Sequence, residues 1–219
     1  MAQLQLVIFD CDGVVVDSER ISHAVLVEML AELGVRLSLE EAFDRFIGAS
    51  EPKTLKIIAS LIGHEPPSDM AAQFAERSQA AFLKTLTAVP GVEEVLSALV
   101  QPYCVASNGS RKKVNFTLGH TGLIDRFPDR IFSAEEVANP KPAPDLFLHA
   151  AHSLGAVPAR CLVIEDTPRG IMAARAAGMF AVGFCAMTPA YRLREAGAHE
   201  VFASMAELPN LLRQFERNG

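Results

Sequence analysis

Two aspartates stand two residues apart in Asp10-Cys11-Asp12-Gly13, directly after the apolar run Leu4–Phe9. Like charges that close repel, so at least one must bind a cation or hold a proton near neutrality. Such a pair can divide its work: one carboxylate serves as anionic nucleophile or ligand while the other gives and takes a proton. Gly13 permits the sharp turn that this loop needs. A second acidic pair, Glu165-Asp166, ends the run Cys161–Ile164, and Ser107-Asn108-Gly109 ends Tyr103–Ala106. Ser107 offers a hydroxyl, and the backbone N–H groups around Asn108 and Gly109 point an anion site at the same place. Lys141 is flanked by prolines at 140, 142 and 144, which restrict the backbone that carries it. Taken singly, each has a duller account: solvated aspartates, a common Asn-Gly turn, a surface lysine. Taken together they need a scaffold that gathers them.

That scaffold is legible. Leu4–Phe9, Tyr103–Ala106, Cys161–Ile164 and Phe180–Phe184 read as buried strands. Helical stretches at Ser110–His120, Asp145–Leu154 and Arg169–Ala177, closed by glycines at 122, 155 and 178, lie between them. Alternation of this kind predicts an α/β fold, a doubly wound parallel sheet with a Rossmann-like core, and places ligands at the carboxyl ends of the strands. Residues from Asp17 to about Leu86 break the alternation with helical patterns alone. Ser38-Leu39-Glu40-Glu41 is a capping box, Pro52 opens a helix through Ile62, and Asp69 caps another to about Thr85. The expected division is a core of residues 1–16 and 88–219 and an inserted all-helical domain of residues 17–87, with Pro90-Gly91 marking the return.

Composition narrows the partners. With 50% apolar and 21% charged residues among 219, the chain is globular rather than disordered. A net charge of −6 argues against nucleic acid or an anionic membrane as partner. No apolar stretch is long enough to span a bilayer, and Met1-Ala2-Gln3 lacks the basic start of a signal peptide, so a cytoplasmic protein is expected. Cys11, Cys104, Cys161 and Cys185 match no zinc spacing and read as buried reduced thiols, Cys11 as a packing residue. Arg111-Lys112-Lys113 reads as a solvated helix face rather than a substrate site. The oligomeric state is not readable, and a monomer is compatible with the sequence.

Asp10-Cys11-Asp12-Gly13-Val14 followed by Asp17-Ser18-Glu19 resembles the first motif of the haloacid-dehalogenase-like hydrolases. Ser107, Lys141-Pro142 and Glu165-Asp166 are similar to its second, third and fourth motifs, in order and over nearly the whole chain. The resemblance implies a phosphatase with Asp10 as the nucleophile that becomes an aspartyl phosphate. Asp12 would protonate the leaving alcohol, then activate water. Ser107 and Asn108 would bind the phosphoryl group, and Lys141 would bind it and offset its charge. Asp10, the backbone carbonyl of Asp12 and Asp166 would hold Mg²⁺, a cation that suits hard oxygens, with Glu165 a ligand or a supporting group. The insertion would be a helical cap, in which Arg45 and Lys53 flank the Gly48 turn and could meet a small phosphorylated metabolite.

Within the family the chain resembles the β-phosphoglucomutase-like sugar-phosphate phosphatases. Ser107-Asn108-Gly109, Phe127-Pro128-Asp129 and Phe184-Cys185-Ala186 are similar to segments of bacterial 6-phosphogluconate phosphatases. Two alternatives stand beside this. A phosphomutase would carry histidine where Ser22 stands, with His23 one residue late, and a cap arginine where Glu51 aligns loosely; both departures favour hydrolysis. A phospho-acceptor signalling domain also pairs aspartates with Mg²⁺, a hydroxyl and a lysine, but is shorter and has no insertion.

Overall fold

Strands that are apolar at every position need cover on both faces, and the helices supply it. The computed structural model describes residues 4–49 and 51–218, so the reading of Met1-Ala2-Gln3 lies outside the described residues. Contacts divide the chain into two compact units, one of residues 1–16 with 87–219 and one of residues 17–86.

The first unit is built on a parallel sheet: β1 (Leu6–Phe9), β2 (Tyr103–Ser107), β3 (Ile131–Ser133), β4 (Cys161–Glu165), β5 (Phe180–Phe184) and β6 (Glu200–Phe202). Their order is β3-β2-β1-β4-β5-β6. Ile8 of β1 pairs with Cys104 of β2 on one side and Val163 of β4 on the other. The winding runs outward from β1 to β3, then returns to β4 and continues the other way. Connections therefore diverge at the carboxyl ends of β1 and β4, which is where such sheets open a crevice.

β3 and β6 were not expected. Each has three residues and lies at an edge, too short to show either alternation or a continuous apolar run. The helices of this unit include α5 (Val92–Ala98), α6 (Arg111–His120), α7 (Asp145–Ser153), α8 (Pro168–Ala176), α9 (Ala190–Glu195) and α10 (Leu208–Asn218). One core face joins Leu6 and Ile8 of β1 and Ala106 of β2 to Leu146 and Phe147 of α7 and Ile171 of α8. The strands of this core align Ser107, Asp10 and Glu165 along one sheet edge.

The second unit holds α1 (Ser18–Glu32), α2 (Leu39–Phe46), α3 (Glu51–Ile62) and α4 (Met70–Thr85), with no strand among the described residues. Leu26, Met29 and Leu30 of α1 pack with Phe46, Ile58 and Met70. The capping box at Ser38 forms: its Oγ accepts from Glu41 N at 3.1 Å while Glu41 Oε2 accepts from Ser38 N at 2.7 Å. Asp69 departs from expectation. Its φ and ψ of −98° and 7° are not the extended geometry of a side-chain cap, and its carboxylate accepts from Gln73 Nε2 instead. Among the described residues no helix is long and apolar enough to cross a membrane. All four cysteines are free thiols, three buried and Cys185 half-buried.

His23 gives the helical unit a pH dependence. Its ring stacks on Phe43 with centroids 4.0 Å apart, and Nδ1 lies 2.8 Å from the Glu19 carbonyl. Burial lowers its pKa below the usual 6.5, the Glu19 carbonyl opposing only in part. The folded state thus binds fewer protons than the unfolded one, so stability from this group is present above 6.5 and drains away as pH falls. Thermal denaturation should show the wild type losing stability from about pH 7.5 to 5.5, and His23→Phe, which keeps the stacking, losing less. Equal slopes would refute this account.

Candidate active site

β1 delivers Asp10 to the sheet edge, and its N–H continues the ladder by donating to the Ile164 carbonyl at 2.9 Å. The chain then turns back, with Val15 and Val16 N–H both donating to the Cys11 carbonyl and Gly13 in the left-handed region at φ 77°. A side chain other than hydrogen is rarely accommodated there. β4 ends in Glu165, Asp166 follows directly, and both are buried. Lys141 reaches the same point from the loop before α7.

The Lys141 ammonium is buried and has three acceptors: Asp10 Oδ1 at 2.5 Å, Glu165 Oε1 at 2.7 Å and the Ala106 carbonyl at 2.8 Å. An ammonium has three N–H groups, so none remains for a substrate. It also sits 4.6 Å above the Phe147 ring centroid, an added attraction for a cation. Burial alone would lower its pKa; the carboxylates of Asp10 and Glu165 overcome that and hold it well above the usual range. Lys141 thus stays charged, with its three N–H groups engaged in this arrangement.

For Asp10 the balance runs the other way. Burial pushes its carboxyl up to about 8, Lys141 pulls it back only in part, and Glu165 and Asp12 push it further. Asp10 Oδ2 carries no hydrogen bond among the described residues. Carboxylate oxygens of Asp10, Glu165 and Asp166 all lie within 4.8 Å of one another. This all-oxygen set holds more negative than positive charge, which is the donor chemistry that suits a hard divalent cation such as Mg²⁺.

Glu165 was open between ligand and support. Its Oε1 serves Lys141, and Oε2 accepts from Thr167 N at 3.1 Å and Thr167 Oγ1 at 2.9 Å. Both oxygens are thereby committed to holding neighbours in place. The helix that follows starts so close that a Cβ at Gly170 would fall inside the Glu165 carboxyl group. Thr167 Oγ1 also accepts from Gly170 N, capping α8.

The other expected residues fare differently. Asp12 is not in the carboxylate cluster; its Oδ2 accepts from Lys113 Nζ at 2.9 Å. Its expected share in the metal site is a backbone carbonyl, which this side-chain placement leaves open. Ser107 Oγ accepts from Gly109 N at 3.0 Å, so that N–H is spent on the loop while the Ser107 hydroxyl proton remains to be donated. The Asn108 side chain faces Lys141: Oδ1 accepts from its N–H at 3.0 Å and Nδ2 donates to its carbonyl at 3.1 Å. Only the backbone N–H of Asn108 remains as the anion donor envisaged for that residue.

The basic run lies on a largely solvent-exposed helix face, as expected, but two of its cations also have partners: Lys113 reaches Asp12, and Arg111 donates to the Ile131 carbonyl at 2.7 Å and to Glu136. Helix periodicity could have found Lys113 only with the position of Asp12 already known. Cys11 is buried beside Thr117, its Sγ 3.9 Å from Oγ1, and burial raises its pKa well above that of a free thiol, as a packing residue requires.

Comparison with known proteins bears on this geometry. Residues 4–178 match the model of the haloacid dehalogenase-like hydrolases. The chain is 35% identical over 188 residues to 6-phosphogluconate phosphatase of Escherichia coli K12, covering 85% of each chain. It is 32% identical to fructose-1-phosphate phosphatase YqaB of the same organism, covering 80% of this chain and 93% of the other. Among solved structures, a haloacid dehalogenase-like protein of Agrobacterium tumefaciens superposes with a TM-score of 0.92 at 36% identity, covering 97% and 99%. A family hydrolase of Deinococcus radiodurans, with bound phosphate and sodium, superposes at 0.85 and 34% identity, covering 98% and 97%.

Proposed function

The chain belongs to the haloacid dehalogenase-like hydrolases, and we propose that it hydrolyses small phosphate monoesters, sugar phosphates first among them, through an aspartyl phosphate on Asp10. Relatives named for 6-phosphogluconate and fructose-1-phosphate support the sugar-phosphate class. The observation that carries the mechanism is the buried gathering of Asp10, Glu165 and Asp166, with Lys141 paired to the first two.

In the first step an Asp10 carboxylate oxygen bonds to phosphorus as the bond from phosphorus to the ester oxygen breaks. Asp12 gives its proton to the departing alcohol. In the second, Asp12 takes a proton from water, whose oxygen attacks phosphorus, and the bond to Asp10 breaks to release inorganic phosphate. Ser107 donates its hydroxyl to a phosphoryl oxygen, and Lys141 lowers the energy of negative charge gathering there. Asp10, the Asp12 backbone carbonyl and Asp166 would hold Mg²⁺, which supplies positive charge to the phosphoryl oxygens and helps keep Asp10 anionic. The all-helical unit supplies discrimination among alcohols, with exposed Arg45 and Lys53 as its candidate contacts. Hydrolysis is favoured over phosphomutase chemistry because His23 is engaged inside the helical unit by Glu19 and Phe43.

Release of inorganic phosphate from a panel of sugar phosphates and an aryl phosphate, with Mg²⁺ and with a chelator, tests the reading. Turnover should need Mg²⁺, and Asp166→Ala should raise the concentration required by at least about tenfold. No release from any monoester sinks the proposal.

A further inference from the structure

Lys141 acts at the end of a flexible four-carbon stem, and its residue lies in a loop, outside the helices and strands. Its ammonium nonetheless meets three acceptors at 2.5–2.8 Å. Something must fix the root of the stem. Two side chains do so from different elements. Asn108, one residue past β2, makes the two-point contact with the Lys141 N–H and carbonyl described above. Arg169, in the first turn of α8, donates from Nη2 to the same carbonyl at 2.7 Å. A carbonyl oxygen has two lone pairs, so this one is fully used. The donor from α8 is charged, and charge-assisted bonds are the shorter and stronger kind.

We propose that Arg169 is a positioning residue: with Asn108 it clamps the Lys141 peptide, so that the ammonium stays registered between Asp10 and Glu165. The inference rests on the phosphatase reading above and adds to it a residue that touches neither substrate nor metal. The clamp ties the Lys141 loop to the ends of β2 and β4, through Asn108 beside Ser107 and through Arg169 three residues past Asp166. The Ser107 hydroxyl, the acidic cluster and the cation therefore keep one geometry even though a loop carries the cation. Releasing one side should let the loop shift and the ammonium drift, which weakens stabilisation of transferring charge and leaves ground-state binding alone.

The test is steady-state kinetics of Arg169→Met on an aryl phosphate with Mg²⁺, beside inhibition by inorganic phosphate. The expected result is a kcat lower by roughly tenfold, the scale of one charge-assisted hydrogen bond, with KM and the phosphate inhibition constant unchanged. Arg169→Lys, which keeps a cationic donor, should retain more activity than Arg169→Met, and added guanidinium should restore part of the kcat of Arg169→Ala. An unchanged kcat in Arg169→Met, a change confined to KM, or a loss in Arg169→Lys as deep as in Arg169→Met would overturn the proposal. A loss in Arg169→Ala that guanidinium does not relieve would do the same. An inactive wild type would instead refute the phosphatase reading, so the two failures are distinct.

Discussion

Asp10→Asn should remove turnover by a factor of at least on the order of 10³ while leaving the protein as stable as before, or more so. The activity loss follows from the lost nucleophile: an amide oxygen cannot form the acyl phosphate. The stability result follows from the site itself. Burial pushes the Asp10 carboxyl up, so its anionic form carries a desolvation cost that Lys141 offsets only in part. Asparagine has nearly the same volume and mimics the neutral form, while Glu165 still pairs with Lys141. Phosphate release and thermal denaturation in chelator give the two readouts. Wild-type turnover in this variant would eliminate Asp10 as nucleophile, and a markedly lower Tm would contradict the electrostatic account.

Lys141→Met should have the largest combined effect. It removes the cation that pairs with both Asp10 and Glu165, and breaking a buried pair by deleting one partner costs about 3–5 kcal/mol. Methionine fills much of the stem volume, so the loss is electrostatic rather than a cavity. Activity should fall by on the order of 10²–10³, the scale for removing a group that stabilises transition-state charge. The stability loss has a direction in pH. Without the ammonium the buried Asp10 carboxyl holds its proton more tightly, so the folded state binds more protons than the unfolded one. Stability is then best at low pH and is lost as pH rises through the raised value, which makes the defect worse above about 8 than near 6. Urea denaturation at those two pH values measures it; a defect that shrinks as pH rises would reverse the sign of this argument.

How legible all this was depended on range along the chain. β1, β2, β4 and β5 are continuous apolar runs, the first three leading into polar groups, so composition and position alone disclosed them. β3 and β6 are three-residue edge strands whose pairing comes from the neighbouring strand, not from their own pattern. Asp10, Asp12, Ser107, Lys141, Glu165 and Asp166 stood out because each follows a strand or sits among prolines. Their hydrogen bonds did not, because these join residues far apart in sequence: Asn108 to Lys141, Lys113 to Asp12, Arg169 to Lys141. Nothing local to Arg169 sets it apart from any arginine in the first turn of a helix. Asn108 was seen as a turn residue offering its backbone, and its side chain turned out to be the more committed part.

The absence of a side chain at position 170 has a consequence for variation among chains of this design. Glu165 occupies the space a Cβ would need, and it cannot swing aside freely, because Lys141 and Thr167 hold both its oxygens. The two positions are therefore one choice. A chain that carries glutamate at 165 must carry glycine at 170, and a chain that places any side chain at 170 must shorten or remove the acid at 165. Substitution at either position alone passes through a clashing or under-packed intermediate, whereas paired replacement need not. Covariation of these two positions, five residues apart on a strand end and a helix start, is the record such a constraint would leave.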